Sequence, residues 1–292
     1  MPTMASTIEL SVVEALTKAY LRILELRESG KQPTGETNEF GQQTFKADIE
    51  AGRAVFDSLR ESGVPVVITS EEHGREVRIV DNPRFLGVID ELDGSKPYTE
   101  GTGRYATMLG IFGNLNPKYA DYLVSGIVDH VNRKIYLASS GKGAYILDVN
   151  APHHRDPIHC LTTTELDPET TQISVDGWFK EDVMFGNKLI EKAFRNIYIG
   201  TPEKGGAANA YYTDLAAGRI DAVIEVTYKR NLEKAVAYGL ITEAGGVMLD
   251  IEGNSLGDKR YLEFEQNSQD RFPVISAATS QLALALINFL KI

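Results

Sequence analysis

The chain carries a single cysteine, Cys160. That excludes an internal disulfide and fits a reducing compartment. It also has no uninterrupted apolar stretch at its start. Residues 8–27 are broken by Glu9, Glu14, Lys18, Arg22 and Glu25. With no basic region ahead of an apolar core, they read neither as a signal peptide nor as a membrane span. Positive charge is in deficit, 30 Lys and Arg against 41 Asp and Glu for a net charge of −11. This argues against nucleic acid or an anionic membrane as a partner. No repeat and no low-complexity tract is present, and the expected location is cytoplasmic. An acidic chain still handles an anionic substrate where bound cations invert the local field.

At 292 residues, with 42% hydrophobic and 24% charged, the chain suits a soluble globular protein. It is long enough for two domains or for one large layered domain. A 3.6-residue period through Val12, Val13, Leu16, Tyr20, Ile23 and Leu24 predicts a helix ending near Gly30. A polar loop is expected over 32–42 and a second amphipathic helix over 45–60. The apolar run 64–69 reads as a buried strand that delivers Ser70-Glu71-Glu72-His73-Gly74, followed by a charged excursion over 74–84. Strands are expected over 106–112, 125–131, 133–139 and 144–149, a meander that makes the first half α+β with a largely antiparallel sheet. Residues 151–168 read as a loop, so the expected division is 1–150 and 151–292. In the second half strands are expected over 172–175, 197–200, 220–226 and 273–277. Helices over 187–195, 207–217, 232–244 and 280–290 alternate with them, an α/β pattern.

The stretch that organises the chain is Val88-Ile89-Asp90-Glu91-Leu92-Asp93-Gly94-Ser95, an apolar strand entering an acidic turn. Closely spaced carboxylates at a strand end are hard oxygen ligands of the kind that hold Mg²⁺. Gly94 permits an unusual backbone angle, Ser95 is a good N-cap, and Pro97 fits a first helical turn. A helix N-terminus facing carboxylates and a metal would bind phosphate. Glu71, Asp90, Asp93 and the Leu92 carbonyl could then supply ligands for one or two ions. Glu233 is the best remote carboxylate to complete a second site, although on spacing alone it reads first as a solvated first-turn glutamate favoured by the helix dipole. Asp221 and Glu225 could accept hydrogen bonds from sugar or polyol hydroxyls. Lys204, Lys229 and Arg230 could meet a second phosphate. His153, His154, His159 and Cys160 lack recognised zinc spacing. Gly101-x-Gly103 and Gly141-x-Gly143 are turn glycines, not nucleotide loops.

Residues 89–95 resemble the aspartate-rich metal motif of the inositol monophosphatase/fructose-1,6-bisphosphatase superfamily. Further matches follow in order: Ser70-Glu71-Glu72; Gly205-Gly206-Ala207-Ala208 with 216–221; and Leu232-Glu233-Lys234-Ala235 with 241–246. The resemblance runs from about Lys46 to the C-terminus. It implies a layered α/β/α/β/α sandwich, dependence on two or three Mg²⁺ ions, inhibition by Li⁺, and hydrolysis of small phosphate monoesters. It also implies a homodimer or homotetramer. Carried over by position, Glu71, Asp90 and the Leu92 carbonyl would hold a first metal, and Asp90, Asp93 and Glu233 a second. Ser95, paired with Glu71, would orient the attacking water, with Glu71, Ser95 and Asp93 as the catalytic set. Backbone N–H groups of Gly94, Ser95 and Lys96 would cradle phosphate, and Gly205, Gly206, Ala207 and Glu225 would line the substrate.

The chain departs from the motif in four places. Glu91 stands where proline is usual. Leu232-Glu233 replaces Trp-Asp, which leans toward the fructose-1,6-bisphosphatase branch. Ala54 occupies a position that commonly holds an aspartate of a third metal site, and Lys96-Pro97 replaces a Thr/Ser-Asn pair. The expected activity is inositol monophosphatase-type. Fructose-1,6-bisphosphatase and 3′-phosphoadenosine 5′-phosphate phosphatase are the alternatives, and a metal- or phosphate-binding regulatory homologue is the non-enzymatic one.

Overall fold

The computed structural model describes residues 4–38, 40–176, 194–200, 207–225, 232–265 and 273–290. The N-terminal amphipathic period becomes helix α1, Met4–Leu26, with Val12, Leu16, Tyr20 and Ile23 buried. Helix α2, Lys46–Glu61, begins with Asp48 accepting the Phe45 backbone N–H at 2.6 Å. That bond satisfies one of the orphan donors of a helix start. Val55, Phe56 and Leu59 turn α2 inward beside α1.

Both helices cover one face of an eight-stranded sheet. Its strands are β3 (Val66–Ser70), β4 (Gly74–Arg78), β5 (Phe85–Asp93), β6 (Ala106–Phe112), β7 (Tyr122–Asp129), β8 (Lys134–Ser139), β9 (Gly143–Asp148) and β10 (Ala151–Ile158). They lie in the order β10-β9-β8-β7-β6-β5-β3-β4. Only β3 and β5 run parallel; every other neighbouring pair is antiparallel. Alternating side chains serve opposite faces. Ile89, Leu109 and Ile111 pack under α1 and α2, whereas Leu86, Val88 and Met108 face the other core.

That other core is filled by α4 (Ala208–Ala216) and α5 (Leu232–Glu243), which lie between the two sheets. The second sheet holds β11 (Ile173–Asp176), β12 (Ile197–Gly200), β13 (Ala222–Glu225), β14 (Val247–Asp250) and β15 (Val274–Ala277) in the order β12-β11-β13-β15-β14. Strand β11 is parallel to β12 and β13, and the β13, β15 and β14 neighbours are antiparallel. Helix α6, Ser280–Leu290, seals its far face with Leu282, Ala283, Leu286 and Ile287. The result is the expected α/β/α/β/α sandwich.

Several local expectations change. Residues 32–42 contain strand β1 (Pro33–Thr37), which pairs with β2 (Gln43–Phe45). All five β1 residues are exposed, so no hydrophobic period marked the strand. The excursion after Gly74 is strand β4 rather than loop. Residues 151–158 form edge strand β10, so the first sheet extends past the expected boundary at 150. Pro152 and Pro157 are tolerated there because an edge strand can spare a donor. Strand β5 runs on through the expected acidic turn to Asp93, with a register shift between Asp90 and Asp93. Such irregularities re-aim side chains next to functional sites. The helix expected over 187–195 falls mostly outside the described residues.

Candidate active site and metal centre

Three elements that are remote in sequence converge at the ends of β3 and β5. Ser70, the last residue of β3, pairs with Ile89 of β5. Glu71 and Asp90 therefore leave neighbouring parallel strands at the same level. Glu233 arrives from the first turn of α5. Ligand oxygens of Glu71, Asp90 and Glu233 all lie within 4.8 Å of one another, and all three residues are buried. It is the one such group among the described residues. Like charges this close, out of water, repel strongly unless protons or a cation intervene. Three carboxylates are also the hard oxygen donors that a divalent cation such as Mg²⁺ takes. The residues present therefore fit a metal ion. Glu233, which the sequence left open as a solvated glutamate, is buried in this cluster.

Asp93, expected as a ligand of a second metal, ends β5 and is not one of the three grouped carboxylates. Its Oδ2 accepts from the Asn209 backbone N–H at 2.6 Å and from Asn209 Nδ2 at 2.7 Å. The first turn of α4 is thus tied to the motif. Leu92 buries its side chain with Ile23, Leu26, Ala47, Ala51 and Tyr98, and its carbonyl accepts from Ser95 Oγ at 2.9 Å. Gly94 has φ 90°, and a Cβ there would lie 2.8 Å from the Arg104 carbonyl and 3.1 Å from the Ala207 Cβ. Both facts require glycine, and they bring Ala207 against the turn. Gly205 and Gly206, like Lys204, Lys229 and Arg230, lie outside the described residues.

Ser95 meets a different carboxylate from the one expected. Its Oγ lies 2.9 Å from Asp48 Oδ1, not on Glu71. Burial, reinforced by the nearby Glu72 charge, pushes Asp48 well above the usual carboxylate range. Glu72 is likewise raised to about 7 by burial and by Glu71. Asn38 Nδ2 bridges Glu71 and Glu72 at 3.1 and 2.9 Å, and Thr44 donates to Glu72 at 2.5 Å. Asp48, Asn38 and Asn209 were missed as site residues. Asp48 reads as an ordinary first-turn acid, and only its partner reveals it. Ala54 is half-buried on α2, and the carboxylate that helix supplies is Asp48.

Lys96 Nζ stands 3.8 Å from Glu100 in a half-exposed pair one turn along α3, Ser95–Glu100. Glu225 is buried, with Lys234 Nζ 3.3 Å from Oε1 and the Tyr212 hydroxyl donating to Oε2. It is taken up by protein partners where sugar hydroxyls were expected. Asp221 is bound by Thr163 Oγ1 at 2.5 Å and the Gln172 N–H at 2.8 Å, bracketing the start of β13. His153, His154 and His159 are exposed while Cys160 is buried, and none belongs to a metal-type cluster among the described residues.

A five-layer α/β sandwich with buried carboxylates gathered at its strand ends is the architecture of the sugar-phosphatase class. The chain belongs to the inositol monophosphatase family, whose profile matches residues 5–283. A Thermococcus kodakarensis protein named fructose-1,6-bisphosphatase/inositol-1-monophosphatase is 25% identical over 287 residues, 98% of this chain and 97% of the relative. A Bacillus subtilis inositol-1-monophosphatase is 28% identical over 207 residues, covering 70% and 71% of the two chains. The crystal structure of the extragenic suppressor protein suhB from Bartonella henselae superposes with a TM-score of 0.77 at 17% identity, covering 98% of this chain and 99% of that one. The family places the chain among phosphoric monoester hydrolases. No helix among the described residues is long and apolar enough to cross a membrane.

Proposed function

We propose that this chain is a Mg²⁺-dependent phosphomonoesterase that hydrolyses a small polyol or sugar phosphate. The observation that carries the reading is the convergence of Glu71, Asp90 and Glu233 within 4.8 Å. These residues, with Asp93 and the Leu92 carbonyl beside them, would hold the metal. Bound Mg²⁺ supplies Lewis-acid polarisation of a phosphoryl oxygen and lowers the pKa of water. The protein's own contribution is positional and protonic. Ser95 Oγ, fixed between Asp48 Oδ1 and the Leu92 carbonyl, orients the attacking water. Asp48, whose Oδ1 meets Ser95 Oγ at 2.9 Å, takes in its ionised form the proton passed through Ser95. Backbone N–H groups of Gly94, Ser95 and Lys96 receive phosphate oxygens at the turn that Gly94 makes possible. Asn209 orients Asp93 from the opposite side.

The first-choice substrate is an inositol monophosphate. A fructose-1,6-bisphosphate reading is favoured by Glu233 in place of aspartate and by the dual name of the Thermococcus relative. The test is phosphate release from inositol-1-phosphate, fructose-1,6-bisphosphate and 3′-phosphoadenosine 5′-phosphate, each with Mg²⁺, with EDTA and with added Li⁺. Mg²⁺-dependent, Li⁺-sensitive release from one of them identifies the branch. Release unaffected by EDTA refutes the metal mechanism. Cation binding without release from any substrate moves the chain to the regulatory alternative.

A further inference from the structure

Glu91 is the residue the motif leaves unexplained, a fully buried carboxylate where the family pattern has proline. Its Oε1 accepts from the Ser70 hydroxyl and from His73 Nδ1, the latter at 3.1 Å. Ser70 Oγ in turn accepts the His73 backbone N–H at 2.7 Å. These three bonds close a ring around residues 70–73, the turn that carries Glu71. The space for the ring is provided by α2. A Cβ on Gly52 would stand 2.6 Å from His73 Cε1 and 2.8 Å from Glu91 Cγ. The Phe56 ring meets the imidazole edge-on, with centroids 5.0 Å apart and planes at 82°. From the other side, the Thr107 hydroxyl donates to the Glu91 carbonyl at 2.8 Å. Glu91 is thus held from both its backbone and its side chain.

The consequence is geometric. Asp90 precedes Glu91 on β5, and Glu71 follows Ser70 on β3. The β3–β5 ladder is last paired at Ser70 and Ile89, so beyond that point the backbone no longer sets the distance between Glu71 and Asp90. The side-chain ring ties the 70–73 turn back to β5, while Asn38 Nδ2 holds the Glu71 carboxylate at 3.1 Å. A proline at 91 would stiffen β5 but offer no acceptor to the opposite turn. We propose that Glu91 and His73 are positioning residues that lock Glu71 at its distance from Asp90. In this chain, cation affinity would then depend on the Gly52–His73–Glu91 packing in place of a proline turn. The proposal rests on the reading of Glu71, Asp90 and Glu233 as a cation centre.

The test is calorimetric Mn²⁺ binding to the EDTA-stripped, dialysed full-length chain, with circular dichroism confirming the fold of each variant. Removing an outer partner of a metal ligand typically weakens affinity by about 10–100-fold. Glu91→Ala and His73→Leu should each fall in that range. Glu91→Gln keeps the acceptor and His73→Asn keeps a donor near the Nδ1 position, so both should stay within roughly threefold of wild type. Should Glu91→Ala fail to fold, His73→Leu against His73→Asn decides the matter. Wild-type affinity in folded Glu91→Ala or His73→Leu overturns the proposal. So does an equal loss in Glu91→Gln, because charge rather than hydrogen-bond geometry would then matter. A wild-type chain that binds no Mn²⁺ refutes the cation centre itself, a separate failure.

Discussion

Glu225 and Lys234 provide the sharpest test of how the tertiary structure reassigns a candidate substrate residue. Lys234 Nζ lies 3.3 Å from Glu225 Oε1, and both side chains are almost wholly buried. At an effective dielectric of about 20, that separation is an attraction of about 5 kcal/mol. Desolvating each ion costs several kcal/mol, so the intact pair contributes little net stability. Breaking it is another matter, since the surviving charge is left in the interior. Lys234→Met should therefore cost about 3–5 kcal/mol. Glu225→Gln should cost a similar amount, although the Tyr212 hydroxyl can still donate to the amide oxygen. In the double variant neither charge is stranded, so the loss should fall well below the sum of the singles and below either single alone. Urea denaturation of the four proteins measures this, and a loss of that size is a large part of an ordinary domain's stability. Additive losses, or singles that unfold at the wild-type midpoint, would refute the reasoning. A raised KM in Glu225→Gln with unchanged stability would return Glu225 to the substrate.

Three further outcomes follow from the site and its surroundings. His130 is buried, with its ring stacked between Tyr20 and Tyr105, and burial holds its imidazole down to about 3. A depressed histidine contributes stability that is fully present above about pH 6.5 and is lost as pH falls toward 3, at about 1.4 kcal/mol per pH unit and about 5 kcal/mol in all. His130→Phe keeps the stack, so its urea midpoint should vary less than the wild-type midpoint across that window; identical slopes would refute the assignment. Asp48→Asn should lower kcat by about 10²–10⁴-fold while cation binding by calorimetry stays near wild type, and a loss of binding instead would make Asp48 a ligand. Glu233→Gln should abolish most cation binding and turnover, whereas Glu233→Asp should retain part of both; full activity in the two would make Glu233 a bystander.

Much of this was legible locally. The 3.6-residue period in α1 and the strand periods of the meander are short-range patterns, and tertiary packing did not override them. The acidic motif around Asp90 announces its own chemistry because its residues are adjacent. What escaped were segments whose structure depends on a partner. Strand β1 has no apolar residue to mark it and exists because β2 pairs with it. Strand β10 reads as loop because its prolines are acceptable only at an edge.

The sequence by itself determined the layered class, the acidic balance and the set of carboxylates from which a metal centre is drawn. Tertiary structure decided which of them meet. Glu71 and Asp90 are joined by a parallel β3–β5 pairing, and Glu233 reaches them only because α5 is buried between the two sheets. Folding also gave Ser95 to Asp48, Asp93 to Asn209 and Glu225 to Lys234, partners for which composition and spacing hold no signal. A side chain's ability to ligate, donate or accept is written in its own chemistry. Which neighbour satisfies it when water is removed is a property of the packed core, where most buried polar groups find a partner.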